Sequence, residues 1–146
     1  MQQGLPRLLD FEVGVGMITP YKDRALQWSD LVCVYRNLNR DSWSVRALSG
    51  PDKGRVIGHA DELTLLRPWF VVSEKSRQRA LSQGQRNVHA WVTGTVVADP
   101  VALHGPVTRV RYNPYRCGHF TLGTNVEARV YSAPEARFTA DGAVLI

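Results

Sequence analysis

Three stretches of this 146-residue chain combine arginine, asparagine and aromatic residues densely enough to hold a nucleotide. The first is Tyr35-Arg-Asn-Leu-Asn-Arg40, with Trp43 and Arg46 close behind. The second is Arg86-Asn-Val-His89, with Trp91. The third is Arg109-Val-Arg-Tyr-Asn-Pro-Tyr-Arg116, followed by His119 and Phe120. A guanidinium grips phosphate with paired N–H donors, an aromatic face takes a base, and an Asn amide reads a base edge or a ribose hydroxyl. Each residue type also has a plainer use. Tyr35, Trp43 and Trp91 alternate with apolar residues, as core residues do. Asn37, Asn39 and Asn113 suit turns, and Arg109 with Arg111 suits a solvated strand face. His89 and His119 suit structural hydrogen bonds. The three stretches together say more than any one residue.

Other chemistries leave no mark. There is no Gly-x-Ser-x-Gly elbow, no His-Glu-x-x-His and no Walker loop, and Gly14-Val-Gly16 opens no dinucleotide-binding unit. Acids are sparse beside the candidate strands, so no carboxylate pair suggests acid/base work. Cys117-x-His119 is a fragment of a zinc pattern without its second half, so neither metal nor cofactor is expected. Cys33 and Cys117 are no disulfide framework and fit a reducing cytoplasm, Cys33 as a small buried hydrophobe.

Charge points to an acidic partner. Lys and Arg total 18 against 13 Asp and Glu, a net charge of +5, and 15 of the 18 are Arg. That ratio favours bidentate phosphate binding and ring stacking, and is also what a GC-rich genome produces. The excess lies from Arg67 onward, with ten basic and five acidic residues. No apolar run approaches the ~20 residues of a membrane span. The opening Met1-Gln-Gln-Gly4 lacks the grammar of a signal peptide.

The elements that must position these residues read as an α+β domain, a mainly antiparallel β-sheet with one prominent helix, over residues 31–146. Residues 1–30 read as an arm or irregular extension, broken by Gly4, Pro6, Gly14, Gly16 and Pro20. Strands are expected over 31–35, 43–48, 55–60, 63–66, 69–72, 87–98 and 107–112, with a weaker pair at 126–132 and 143–146. Gly94 marks a bulge or a close backbone approach, and 99–106 reads as a Pro/Gly loop. Ser73 caps a helix that ends at Gly84 and has few apolar residues. Sheet edges in so small a domain suggest a homo-oligomer.

Several blocks carry a resemblance. Residues 34–46 (Val-Tyr-Arg-Asn-Leu-Asn-Arg-Asp-Ser-Trp-Ser-Val-Arg), 54–60 (Gly-Arg-Val-Ile-Gly-His-Ala), Phe70-Val-Val-Ser73, Arg86-Asn-Val-His-Ala90 and Arg111-Tyr-Asn-Pro-Tyr-Arg116 look like a widespread family of small phage proteins. Within it, the chain resembles the anti-Thoeris sponges. Those bind cyclic ADP-ribose-type signals made by bacterial TIR enzymes, and some also hold CBASS cyclic oligonucleotides. The resemblance covers roughly residues 34–120. It departs from the family pattern at Ser82-Gln-Gly-Gln85, where a more charged helix end is usual.

The resemblance implies a non-enzymatic immune-evasion protein in the cytoplasm of an infected host. It would sequester a cyclic nucleotide as a dimer or trimer of dimers. The expected ligand set is Arg109, Arg111 and Arg116 on the pyrophosphate, Phe120 or Tyr112 stacking on a base, and Asn113 on a base or ribose. Arg36 and Arg86 stand behind them. The rival readings are a nucleic-acid-binding β module, a nucleotide-cleaving enzyme with His89 or His119 as base, and a phage structural protein. The low Lys count speaks against the first.

Overall fold

The computed structural model describes residues 18–24, 30–84, 87–97 and 107–145. Eleven strands and one helix follow in order: β1 (Ile18–Pro20), β2 (Leu31–Asn37), β3 (Ser42–Ala47), β4 (Val56–Ala60), β5 (Leu63–Val72), α1 (Glu74–Gln83), β6 (Ala90–Val96), β7 (Thr108–Arg111), β8 (Phe120–Leu122), β9 (Asn125–Val130), β10 (Glu135–Thr139) and β11 (Gly142–Leu145). They form one sheet in the order β9-β8-β7-β11-β10-β5-β6-β2-β3-β4-β1. Every neighbouring pair is antiparallel. The mainly antiparallel fold with a single short helix is therefore as the sequence implies.

The helix forms where its caps dictate. Ser73 Oγ accepts from the Ser76 N–H at 3.3 Å, and Gly84 takes the left-handed conformation that ends the helix (φ 64°). None of its residues is buried.

β5 is where the fold departs from expectation. Residues 63–66 and 69–72 form one bent strand rather than two. Arg67 adopts a positive φ of 48° and Pro68 follows it, so the register on β6 shifts between Leu66 and Trp69 while pairing resumes beyond. The proline is accommodated at the bulge and does not end the strand. The first half of β5 also pairs with β10. Beyond the bulge, the Phe70 N–H donates to the Tyr131 carbonyl at 2.8 Å and Trp69 bridges Ser132. The end of the sheet that carries β9 thus returns to its middle. Pro20 ends an unexpected strand, β1, which ties that part of the arm to β4. β8 and β10 were likewise not expected. Residues 1–17 and 25–29 of the arm, all of the 99–106 loop and Arg86 lie outside the described residues.

A second fold-over makes the interior. Trp43 on β3 donates its indole N–H to the Thr139 carbonyl at the end of β10, at 2.8 Å, and its ring meets Phe138 edge-on at 5.2 Å. These strands are four places apart in the sheet. The core between them holds Val32, Val34, Val45, Ile57, Leu65 and Phe138, all within 1% of full burial. Gly94 is the close approach the sequence suggested. A methyl there would lie 3.0 Å from both Leu65 Cβ and the Leu66 carbonyl oxygen. Burial pushes the Cys33 thiol up to about 11, as befits a thiol used as a hydrophobe.

Candidate functional site

Where the sheet folds over, it leaves a cavity of about 290 Å³. One wall comes from β2, β3 and β6, with Val34, Arg36, Trp43 and Trp91. The other comes from β7, β8 and the β10–β11 turn, with Arg111, Tyr112, Phe120 and Asp141, and Val110 and Phe138 line it from the core. The volume lies just under the ~300–1,000 Å³ usual for small-molecule sites, enough for one flat ring system and its sugar.

Two arginines stand on this lining. Arg36 is paired across the strands with Trp43, and its guanidinium lies 5.3 Å from the indole centroid. It also binds Asp41 at 2.6 Å. The Asp41 side chain is 93% exposed, so a ligand anion can compete for that guanidinium. Arg111 ends β7, with its backbone paired to Thr121.

Two of the lining rings, Tyr112 and Phe120, belong to a packed series that runs on behind the cavity wall. His89, Tyr112, Phe120 and Phe70 follow one another with centroids 5.7, 5.2 and 5.2 Å apart. Such contacts hold ring planes rigid, which a stacking surface requires. Tyr112 is further fixed from behind by α1. There the Arg77 Nε–H donates to the Pro114 carbonyl at 2.9 Å, while Arg77 Nη1 and Gln78 Nε2 both donate to Glu74 Oε2 at 2.7 Å. The Gln78 hydrogen bond and the Arg77 charge hold the Glu74 carboxyl below its ordinary range. A Cβ on Gly118 would run into Glu74, so glycine lets the turn lie against the helix. The helix acts here through its first turn, and its Gly84 end is absent from the lining.

The structure brings Arg36, Arg111, Tyr112 and Phe120 together on the cavity. Arg109 and Arg116 do not line it, although Arg111, which does, is as exposed as they are. Asn113 builds a turn: its Oδ1 accepts the Tyr115 N–H at 2.9 Å and its carbonyl accepts the Arg116 N–H at 3.1 Å. Arg86 falls outside the described residues. Trp43, Trp91 and Asp141 line the cavity without having been in the expected ligand set. The two tryptophans were legible as aromatics beside Arg, but nothing in the sequence placed Asp141. The histidines weighed as bases make backbone bonds. His119 Nε2–H donates to the Val126 carbonyl at 2.7 Å, and His89 Nδ1–H to that of Asn87 at 3.1 Å. No group of three or more potential metal ligands occurs among the described residues.

Comparison with known proteins supplies the relationship. Residues 26–146 match the family described as the Mycobacterium phage L5 gene 82 protein. The gene 82 protein of Mycobacterium phage L5 is itself 30% identical over 118 residues, covering 76% of this chain and 91% of that protein. This chain belongs to the L5 gene 82 protein family. Membership reaches across all three Arg-, Asn- and aromatic-rich stretches and both walls of the cavity, since every lining residue falls within 26–146. No solved structure matches. Among the described residues no helix is long and apolar enough to cross a membrane.

Proposed function

We propose that this phage protein captures a small cyclic nucleotide in the β2–β3–β6/β7–β8 cavity and withholds it unchanged, in the manner of a sponge for an immune signal. One observation carries the reading. Arg36 and Arg111 border a single cavity together with the rings of Trp43, Tyr112 and Phe120. Flat rings bury a base, and the two guanidiniums take phosphate oxygens. The small volume favours a ligand with one base, such as a cyclic ADP-ribose isomer, over a cyclic oligonucleotide.

Capture without cleavage fits the same lining. Asp141 is the one carboxylate among the described lining residues, and there is no Ser, Cys or His on it to act as nucleophile or base. The proposal includes a homo-oligomer, because β1 and β9 stand at the ends of the sheet order. Its setting is the cytoplasm of the infected host.

The test is release of bound ligand. The purified protein is incubated with cyclic ADP-ribose isomers and cyclic di- and trinucleotides, freed of unbound ligand and heat-denatured, and the released compounds are identified by mass. An intact nucleotide is expected from the parent protein, with at least tenfold less from Arg111→Ala. A converted product, or no retained ligand, overturns the proposal.

A further inference from the structure

The face of β2–β3–β4 that turns away from the core carries a second constellation. Register sets Tyr35 beside Ser44 and Ser44 beside His59, so their side chains form one row across three strands. Asn37 ends the row. Its Oδ1 accepts from the Asn39 and Arg40 N–H groups at 3.0 and 3.2 Å, which fixes the amide's orientation because only its oxygen accepts. Nδ2 therefore donates to Ser44 Oγ at 3.0 Å. The Ser44 hydroxyl then donates to His59 Nδ1 at 3.2 Å, and a neutral imidazole carries its proton on Nε2. That N–H is shielded from solvent and has no partner among the described residues.

Positive charge gathers at the same place. The Tyr21 ring meets His59 edge-on at 5.4 Å. Lys22 Nζ, Arg40 Cζ and Arg24 Cζ lie 5.3, 5.5 and 5.7 Å from the centroid of that ring. None of the three cations forms an ion pair with a described residue. Arg24 is engaged through Nη1 with the Val56 carbonyl at 2.8 Å, whereas Lys22 and Arg40 are exposed on long stems free to turn. Burial, and then the Arg40 charge, lower the His59 pKa, in keeping with a neutral imidazole. Three cations around one ring repel one another, and a desolvated N–H lacks its acceptor. An anion relieves both.

We propose that this face is a second, anion-binding site that takes the phosphate or pyrophosphate group of a small molecule between the His59 Nε2–H, Arg40 and Lys22. It is separate from the cavity: Arg36 and Trp43 alternate with Asn37 and Ser44 and point through the sheet the other way, and none of Asn37, Ser44, His59, Lys22 and Arg40 lines the cavity. It stands whether or not the cavity holds a nucleotide.

The probe is inorganic pyrophosphate, titrated into the full chain at fixed ionic strength while the His59 ring resonances are followed. A saturable shift is expected. It should weaken at least tenfold in the Lys22→Gln/Arg40→Gln double variant, whose substitutions lie on the surface, and persist in Arg111→Ala. No saturable shift, or an unchanged one in the double variant, overturns the proposal. Loss of the shift in Arg111→Ala overturns it by placing the anion in the cavity. A response to single-stranded oligonucleotide with none to pyrophosphate overturns it in favour of a nucleic-acid backbone.

Discussion

Tyr112→Phe is expected to make this protein more stable and leave its capture of ligand unchanged. The Tyr112 hydroxyl is shielded from solvent and has no hydrogen-bond partner among the described residues. A desolvated, unpaired polar group costs about 1–3 kcal/mol, and Phe removes it while keeping the ring that packs on Phe120 and lines the cavity. At the lower end of that range the gain is about 1 kcal/mol, which raises Tm by roughly 3–4 °C in a domain of this size. The same burial creates a pH signature. It pushes the phenol up to about 12 from 10.0, with the Arg77 charge opposing and Glu74 and Cys117 adding to it. Between about pH 10 and 12 the unfolded chain has released this proton and the folded chain still holds it. Stability therefore falls as pH rises through that window and levels off above it. Two full units would amount to about 2.7 kcal/mol, and the solvent that reaches the ring through the cavity reduces this to about 1 kcal/mol. Thermal melts at pH 7 and from pH 9 to 12 read both effects. The advantage of Tyr112→Phe should widen from about 1 to about 2 kcal/mol across the alkaline series. A destabilised Tyr112→Phe, or a gap that does not widen, would refute the reasoning by showing that the hydroxyl is satisfied.

Three further perturbations address the cavity, the core and the sheet edge. Asp41→Asn frees Arg36 from its 2.6 Å ion pair at a position with φ 53°, which Asn tolerates. Removing the competing carboxylate should tighten nucleotide capture about two- to fivefold in equilibrium dialysis, since exposed pairs are worth about 0.2–1 kcal/mol. Phe138→Ala deletes a ring with 1% exposure that meets Trp43, and should cost about 3–5 kcal/mol in denaturant melts. Gly58→Ala would place a methyl 2.9 Å from the Thr19 carbonyl oxygen and closer still to the Ile18 side chain. The β1–β4 pairing should loosen, so that the Tyr21 amide, bonded to the Ile57 carbonyl at 3.0 Å, loses hydrogen-exchange protection while the β2–β3 amides keep theirs.

What the sequence disclosed follows the strength of its local signals. The helix was legible to the residue at both ends because Ser73 and Gly84 act through contacts within one turn. β2 was legible as a β-branched and aromatic run, β3 and β6 from alternating apolar positions, and β4 from the strong turn signal at 49–54 before it. β10 was not. Glu135-Ala-Arg-Phe-Thr139 offers two apolar residues, and it is a strand because Ala136 and Phe138 are buried against β5, a contact made across some 70 residues of chain. The Arg67-Pro68 pair read as a break for the opposite reason: a local rule was overridden by pairing on both flanks. The candidate site divides in the same way. Residue type found Arg36, Arg111, Tyr112 and Phe120, but spacing along one strand could not separate Arg111 from Arg109. The two share a strand face, and Arg111 borders the cavity only because it ends β7 beside Tyr112, where the fold-over closes the cavity.

The β2–β3 hairpin explains why so much of the chemistry is carried by arginine. Arg36 lies over Trp43 on the cavity side, whereas Arg46 lies 5.6 Å from the Tyr35 centroid and Arg40 lies beside Tyr21 on the other. A guanidinium can cover a ring and still offer N–H donors at its rim, which an ammonium does less well. The strand period of two sends neighbouring residues to opposite faces, so one hairpin supplies both surfaces with cations and rings. The hairpin's register then governs everything that follows. A slip of one residue would turn Arg36 and Trp43 outward and drive Asn37 and Ser44 into the core. What guards against the slip is the pair Val34 and Val45, both fully buried, together with the Asn37 side chain that accepts two N–H groups of the turn. The turn asparagine, the least nucleotide-specific residue of its stretch, is on this argument the one that keeps the two faces distinct.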